Sequence, residues 1–289
     1  MTDQVETHAS STGQNMTGSA WLDVHFEVNR VEYEAQVRAV GIQPGWRVLD
    51  AGCGSGSFLP WLADLVGPTG QLAALDLAPD NIAVVEVRLA EWHLTTPIEA
   101  RVGSVLTLPY PDANFDAVWC ANTTQYLTNE ELDTALAEMR RVVRPGGLVA
   151  IKEADPTLGR ILPGPPGLML RRIEAGARAG NVQFQGILRN HTLPAWLHKA
   201  GLVNVTRRTT LIERSAPPTP LARTMLHTAF ALFASQAANL DLPETDRAFW
   251  ASLRDPENLD RLLDDANFYS NEGNVLAVGQ VPENERQAA

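Results

Sequence analysis

The chain has 289 residues, with 34 acidic against 23 basic side chains and a formal net charge of −11 at pH 7, a balance that argues against nucleic acid as its partner, since phosphate binding draws on clustered Lys and Arg. Its length suits one large α/β domain, alone or with a sizeable insertion, and its two cysteines, Cys53 and Cys120, cannot build a disulfide framework. No Cys/His cluster has metal-ligand spacing, so no metal is expected, and no stretch approaches the roughly 18–20 apolar residues of a membrane span.

Residues 1–19 are polar and rich in Ser, Thr, Gln and Gly, without the basic start and apolar core of a signal peptide. A disordered tail and a cytoplasmic setting are expected. From 21 to 40, apolar residues recur every three or four positions and stop at Gly41, which predicts one helix. A strand at 47–50 runs into a glycine cluster, followed by a helix carrying Phe58, Trp61, Leu62 and Leu65. A strand at 72–76, a helix at 79–92 and strands at 98–104 and 115–120 continue the alternation. Thr128, with Glu131 three residues on, predicts a capping box. The helix it opens ends at Arg144-Pro145-Gly146-Gly147, before a strand at 148–151. Such a rhythm predicts a doubly wound α/β fold, a parallel sheet with helices on both faces.

Past Glu153 the rhythm breaks at Pro156, Pro163, Pro165 and Pro166, with a basic helical piece around Arg171-Arg172. A helix at 191–200, a strand at 203–213, helices at 221–238 and 244–265 and a strand at 274–281 complete the expected order.

The strongest chemical signal is Asp50-Ala51-Gly52-Cys53-Gly54-Ser55-Gly56. A strand ending in an acid and entering Gly-x-Gly-x-Gly makes a tight turn into a helix N-terminus. Glycine there lets backbone approach a ligand and take positive φ without steric cost, and the helix start offers unpaired N–H groups to an anion. A dinucleotide fingerprint needs Gly-x-Gly-x-x-Gly, and residue 57 is Ser. Asp76 ends the next strand, where a carboxylate can take both hydroxyls of a ribose; capping of the following helix is the other reading, a role that Asp80 serves better.

These residues, together with Phe115-Asp116-Ala117-Val118 and Arg144-Pro145-Gly146-Gly147, resemble the class I S-adenosylmethionine-dependent methyltransferases, in particular the ubiquinone-biosynthesis and natural-product types. The resemblance covers residues 47–153 closely and the rest in outline. It implies a Rossmann-like seven-stranded, mostly parallel sheet with an antiparallel last strand and a helical lid. It also implies one domain over 20–289, with lid insertions at about 155–187 and 217–266. The cofactor it implies is S-adenosylmethionine, leaving S-adenosylhomocysteine as product. By the same resemblance Gly52, Gly54 and Gly56 line the methionine moiety, Asp50 holds its amino group, Asp76 takes the ribose and Leu77 lies against the adenine. Where relatives carry an acidic or polar residue for the adenine amine, this chain has Ser104 followed by Val105. The end of the fourth strand, with Cys120, Ala121 and Asn122, falls at the reaction centre. Tyr33 resembles the aromatic that closes over the cofactor, or is an ordinary core tyrosine.

Methyl transfer from a sulfonium is an in-line displacement in which protein supplies alignment and, where needed, a base. Glu153, leaving a buried strand on the ligand side, is the expected base, since desolvation raises its pKa; a solvated loop glutamate is the alternative. Gln125, Tyr126, His25 and Phe184 are expected at the acceptor pocket, with Arg189 and His191 as lesser candidates. Cys53 and Cys120 read as small packing residues. The lid's Leu168, Leu170, Leu226, Phe230 and Phe233 suit a small hydrophobic acceptor in natural-product biosynthesis, or else a homodimer contact. Partners expected are that acceptor, and neither membrane nor nucleic acid. A non-methylating reaction such as cyclisation, and a non-catalytic cofactor-binding module, stay open as alternatives.

Overall fold

The computed structural model describes residues 7–9, 15–17 and 19–283. Within the expected disordered tail, β1 (Thr7–Ala9) pairs antiparallel with β2 (Asn15–Thr17); the remainder of 1–18 lies outside the described residues. Backbone contacts group the chain into two compact units, the first comprising residues 1–153, 192–208 and 276–289 and the second 154–191 and 209–275. The segments expected to form a lid fall in the second unit.

The N-terminal helical pattern is two helices, α1 (Ser19–Val28) and α2 (Arg30–Arg38). They part at Asn29, a buried residue whose side-chain amide bonds the His25 ring at 3.2 Å, in keeping with asparagine's habit of competing with helical backbone. Then follow β3 (Arg47–Ala51), α3 (Leu59–Val66), β4 (Gln71–Asp76), α4 (Pro79–Trp92), β5 (Ile98–Val102), β6 (Phe115–Ala121) and α5 (Asn129–Val142). The expected capping box is present: Glu131 N donates to the Thr128 hydroxyl at 3.2 Å, and Thr128 N donates to Glu131 Oε2 at 2.8 Å.

The strand expected at 148–151 is one part of β7 (Val143–Leu162), which takes over from α5 without a break. Phe115 pairs with Val143 and Ala117 with Leu148, so the Arg144-Pro145-Gly146-Gly147 segment is accommodated by a register shift. At Gly147 a Cβ would stand 2.5 Å from the Asp116 carbonyl. Beyond β7 come α6 (Leu168–Arg178), α7 (Val182–Arg189), α8 (Leu193–Lys199), β8 (Val203–Ser215), α9 (Pro220–Ala237), α10 (Glu244–Ser252), α11 (Pro256–Asp264) and β9 (Tyr269–Gln280). The single helix expected at 244–265 is broken because Pro256 lacks an N–H to continue it. Asp255 caps the new start, its carboxylate accepting from Glu257 N at 3.0 Å.

The seven strands order as β5-β4-β3-β6-β7-β9-β8, six parallel and the last antiparallel, as expected. Val48, Leu49, Ala51, Leu72–Leu75 and Ala117–Cys120 are buried, the continuous apolar run of strands covered on both faces. Val48 is level with Leu72 and Ala117, and Asp50 with Ala74 and Trp119. The carboxyl ends of β3, β4 and β6 therefore emerge on one sheet edge.

Thr128→Ala removes one half of the capping box and is expected to cost about 1 kcal/mol. Calorimetry should show a Tm lower by roughly 2–4 °C, with unchanged far-ultraviolet dichroism.

Candidate functional site

The glycine turn after β3 is stitched to the end of β4. Gly52 N and Cys53 N donate to the Leu75 carbonyl at 2.7 and 3.0 Å, and Gly54 N donates to Asp76 Oδ2 at 2.8 Å. Asp76 Oδ1 accepts from Ala78 N at 2.9 Å and from Asn81 Nδ2 at 3.0 Å, at the start of α4. These bonds match the capping reading of Asp76: its carboxylate orders the helix entry and the glycine turn together. Gly52 and Gly56 have φ of +81° and +80°, where an L side chain is strained. A Cβ on Gly52 would lie 2.3 Å from Thr123 Oγ1, which donates to the Gly52 carbonyl at 3.2 Å and joins this turn to the segment after β6.

Asp50 is 1% exposed, and its Oδ2 has no hydrogen-bond partner. Burial, helped by the charge of Asp76, pushes its pKa up to about 8. An unpaired buried carboxylate oxygen beside a positive-φ turn is a place that favours an incoming cationic donor.

A second cluster surrounds Asn122, directly after β6. Its φ of +55° is a conformation non-glycine residues seldom take, Asn more readily than most. Its N donates to the Lys152 carbonyl at 2.8 Å, its Oδ1 accepts from Lys152 Nζ at 2.8 Å, and its own carbonyl accepts from Gln125 Nε2 at 3.1 Å. The buried Lys152 ammonium also sits 3.8 Å from the centroid of the Tyr33 ring, and Tyr33 Oη lies 3.4 Å from His25 Nδ1. Tyr33 packs on Phe58, which meets Trp119 edge to face. Asp23, on α1, accepts from the hydroxyl of Ser55 in the glycine turn at 3.1 Å and pairs with Arg88, whose guanidinium also reaches the Ser55 carbonyl. The N-terminal helices are thereby tied onto the turn.

Glu153, on β7, is fully buried. Its Oε1 accepts from Thr124 N at 2.6 Å and Thr124 Oγ1 at 2.8 Å, while Oε2 has no partner. Burial raises its pKa, opposed by the Thr124 bonds and the Lys152 charge. The reading of Glu153 as a solvated loop residue is therefore overturned. Cys53 and Cys120 are buried with their thiols pushed well up by desolvation, which keeps them neutral packing residues.

In the first unit the contacts above join the glycine turn to Asp76 and link Asn122, Gln125, Lys152, Tyr33 and His25; Asp50 and Glu153 belong to the same unit. Leu77 and Tyr126 are half-buried in the same unit. Val105 is buried, and Ser104 Oγ accepts from Leu106 N at 3.1 Å, so that oxygen is engaged within its own turn. Phe184 belongs to the second unit, buried against Gly176, as do Arg189 and His191. Sequence reasoning missed Lys152 and Gln36. A lysine directly after the apolar run from Leu148 to Ile151, on the same strand, was the available signal for the first. Gln36 is a buried amide on α2 with neither side-chain atom paired, one turn beyond Tyr33.

Residues 48–147 match the family model described as a methyltransferase domain. Over this segment the chain is similar to S-adenosylmethionine-dependent methyltransferases. A ubiquinone/menaquinone biosynthesis C-methyltransferase of Cupriavidus taiwanensis is 37% identical over 117 residues, 40% of this chain and 46% of that protein. A demethylmenaquinone methyltransferase of a Geobacillus species is 32% identical over 130 residues, 43% of this chain and 53% of that one. The chain spans about half the length of these relatives. Among solved structures, a putative methyltransferase of Bacillus halodurans superposes with a TM-score of 0.55 at 14% identity, covering 86% of this chain and 97% of that one. A phosphoethanolamine N-methyltransferase of Haemonchus contortus gives 0.55 at 17% identity, over 90% of this chain and 56% of that one. At such identities the likeness is one of fold. No helix among the described residues is long and apolar enough to cross a membrane.

Asp50 carries a testable consequence. Between about pH 4 and pH 8 the folded chain retains on Asp50 a proton that the unfolded chain has lost, so this group makes stability fall as pH rises. Asp50→Asn removes that slope. Urea unfolding should show the variant gaining stability relative to the parent from pH 5 to pH 8; parallel profiles would contradict the assignment.

Proposed function

We propose that the chain binds S-adenosylmethionine at the carboxyl ends of β3, β4 and β6 and transfers its methyl group to a small, hydrophobic acceptor. The observation that carries this reading is the buried, unpaired Asp50 oxygen beside the positive-φ glycine turn, within the segment matching the methyltransferase model. Bound there, the cofactor supplies an electrophilic methyl on a sulfonium. Asp50 then accepts from the ammonium of the methionine part. Asp76 keeps Gly54 and the α4 start in place through the bonds it already makes, and its Oδ2, with a single donor, has lone-pair capacity left for ribose hydroxyls.

Tyr33, Asn122 and Lys152 line the approach to the reacting end in this reading. Glu153 is the proposed base: Oε1 is anchored by Thr124, and Oε2 takes the acceptor's proton or steadies its developing positive charge. Its upward-shifted pKa suits proton transfer nearer neutrality. Gln125, Tyr126 and His25 are proposed to contact the acceptor. The acidic net charge and the apolar side chains of the second unit support a hydrophobic metabolite over nucleic acid. A cytoplasmic, natural-product role, with methylation at carbon, nitrogen or oxygen, belongs to the same proposal.

Isothermal titration with S-adenosylhomocysteine is expected to show binding that Asp76→Ala weakens at least tenfold, about 1.4 kcal/mol; unchanged affinity would overturn the cofactor site. Because Asp50 holds its proton in the free protein at pH 7, binding should also release a proton, read as a dependence of the apparent enthalpy on buffer ionisation heat. Asp50→Asn should abolish that release.

With labelled cofactor and a panel of quinol, phenol and amine acceptors, Glu153→Gln should keep cofactor affinity within about twofold while slowing transfer by roughly 10²–10⁴. Undiminished transfer would remove Glu153 from the mechanism.

A further inference from the structure

Helix α6 places two arginines side by side, and the second unit treats them differently. Adjacent positions on a helix point about 100° apart, so Arg171 and Arg172 face different surroundings. Arg171 grips Asp246 side-on, Nε to Oδ2 at 2.5 Å and Nη2 to Oδ1 at 2.7 Å, and its Nη1 reaches the Pro166 carbonyl. That carboxylate is fully buried and its charge is matched.

Arg172 is equally an arginine and is more deeply buried, at 3% exposure. Among the described residues it has no acidic partner. Its one hydrogen bond runs from Nη1 to Gln236 Oε1 at 2.6 Å, and Nε is buried with no partner. Its guanidinium carbon lies 4.1 Å from the Phe233 ring centroid and 5.2 Å from that of Phe184, so aromatic rings flank the group. Against Phe233 also packs Trp250, whose buried indole N–H has no partner either. Desolvation alone pulls the Arg172 pKa down to about 9.

A buried cation facing only rings and one amide is costly, and an apolar side chain of similar volume would serve packing better. The Nε–Nη2 edge that Arg171 gives to Asp246 is, on Arg172, without a partner. A planar carboxylate fills such an edge with two parallel bonds. A single positive charge in apolar surroundings matches a monoanion better than a doubly charged phosphate.

We propose that Arg172 anchors a binding site in the second unit for a small organic carboxylate with an apolar or aromatic body, held side-on by the Nε–Nη2 edge. Gln236 positions the guanidinium by holding Nη1, and Phe184 and Phe233 contact the ligand's apolar part. The site stands independently of methyl transfer, and its test involves neither the cofactor nor an acceptor reaction.

The test uses the full chain at pH 7, with benzoate as probe and neutral, isosteric benzamide as control, read by thermal unfolding and isothermal titration. Benzoate should raise the Tm in a saturable way and benzamide should not. Arg172→Met should lose the benzoate response while unfolding at a Tm no lower than the parent's, since it removes an unmatched buried charge. Arg172→Lys should weaken benzoate at least tenfold, because an ammonium cannot form the two-bonded fork. The proposal is overturned by a parent that does not respond to benzoate, by an equal response to benzamide, or by a benzoate response that survives in Arg172→Met. Should Arg172→Met fail to fold, Arg172→Lys decides: a weakened response supports the site, and an unchanged one overturns it.

Discussion

Asp76 is the point on which the first unit's ligand-facing edge depends. One carboxylate receives Gly54 N from the glycine turn, and Ala78 N and Asn81 Nδ2 from the start of α4. It therefore sets the conformation of the turn after β3 and the direction in which the helix after β4 leaves the sheet. The Leu75 carbonyl, accepting from Gly52 N and Cys53 N, fixes the same turn from the next peptide back. Parallel pairing of β3 with β4 and β6 brings these elements to one edge, and Thr123 closes the remaining side by bonding the Gly52 carbonyl. Little of this arrangement is left to side-chain adjustment.

Around that frame, ionisable groups are buried in unequal states of compensation. Lys152 is matched by Asn122 and the Tyr33 face, and Glu153 has one oxygen saturated by Thr124. Asp50 Oδ2 and the other oxygen of Glu153 are left unpaired, as is Arg172 Nε in the second unit. Unpaired buried polar atoms cost folding free energy of order 1–3 kcal/mol each. Concentrating them at strand ends and beside aromatic rings is a poor arrangement for stability and a good one for receiving ligands. Asn122, held at positive φ next to the same cluster, adds local backbone strain to the pattern.

The alternation of strands and helices over residues 47–151 was legible because each strand there is an apolar run and each helix has a start signal, Pro79 and Thr128 among them. Boundaries were harder where a local signal competed with tertiary pairing. Arg144-Pro145-Gly146-Gly147 reads as a break, yet the sheet absorbs it by shifting register between Phe115 and Ala117, so that β7 begins at Val143. Asn29 and Pro256 split helical patterns whose apolar spacing runs on across them. Among site residues, Asp50, the glycines and Asp76 were visible from motif spacing. Lys152 and Gln36 were not, because a polar residue on a buried face looks like an isolated exception until the partners it meets, or lacks, are known.

The amino-acid order by itself determined the doubly wound sheet, the glycine turn and the two acidic strand ends, since these follow from apolar periodicity, glycine's access to positive φ and the placement of carboxylates after strands. Only the tertiary structure decided which of the buried charges are answered. Arg171 and Arg172 are identical neighbours in sequence, yet one meets Asp246, 75 positions away, and the other meets two phenylalanine rings. The reason is physical. Pairing of a buried charge depends on groups brought together across long stretches of chain, and nothing in the local sequence encodes the distance between them.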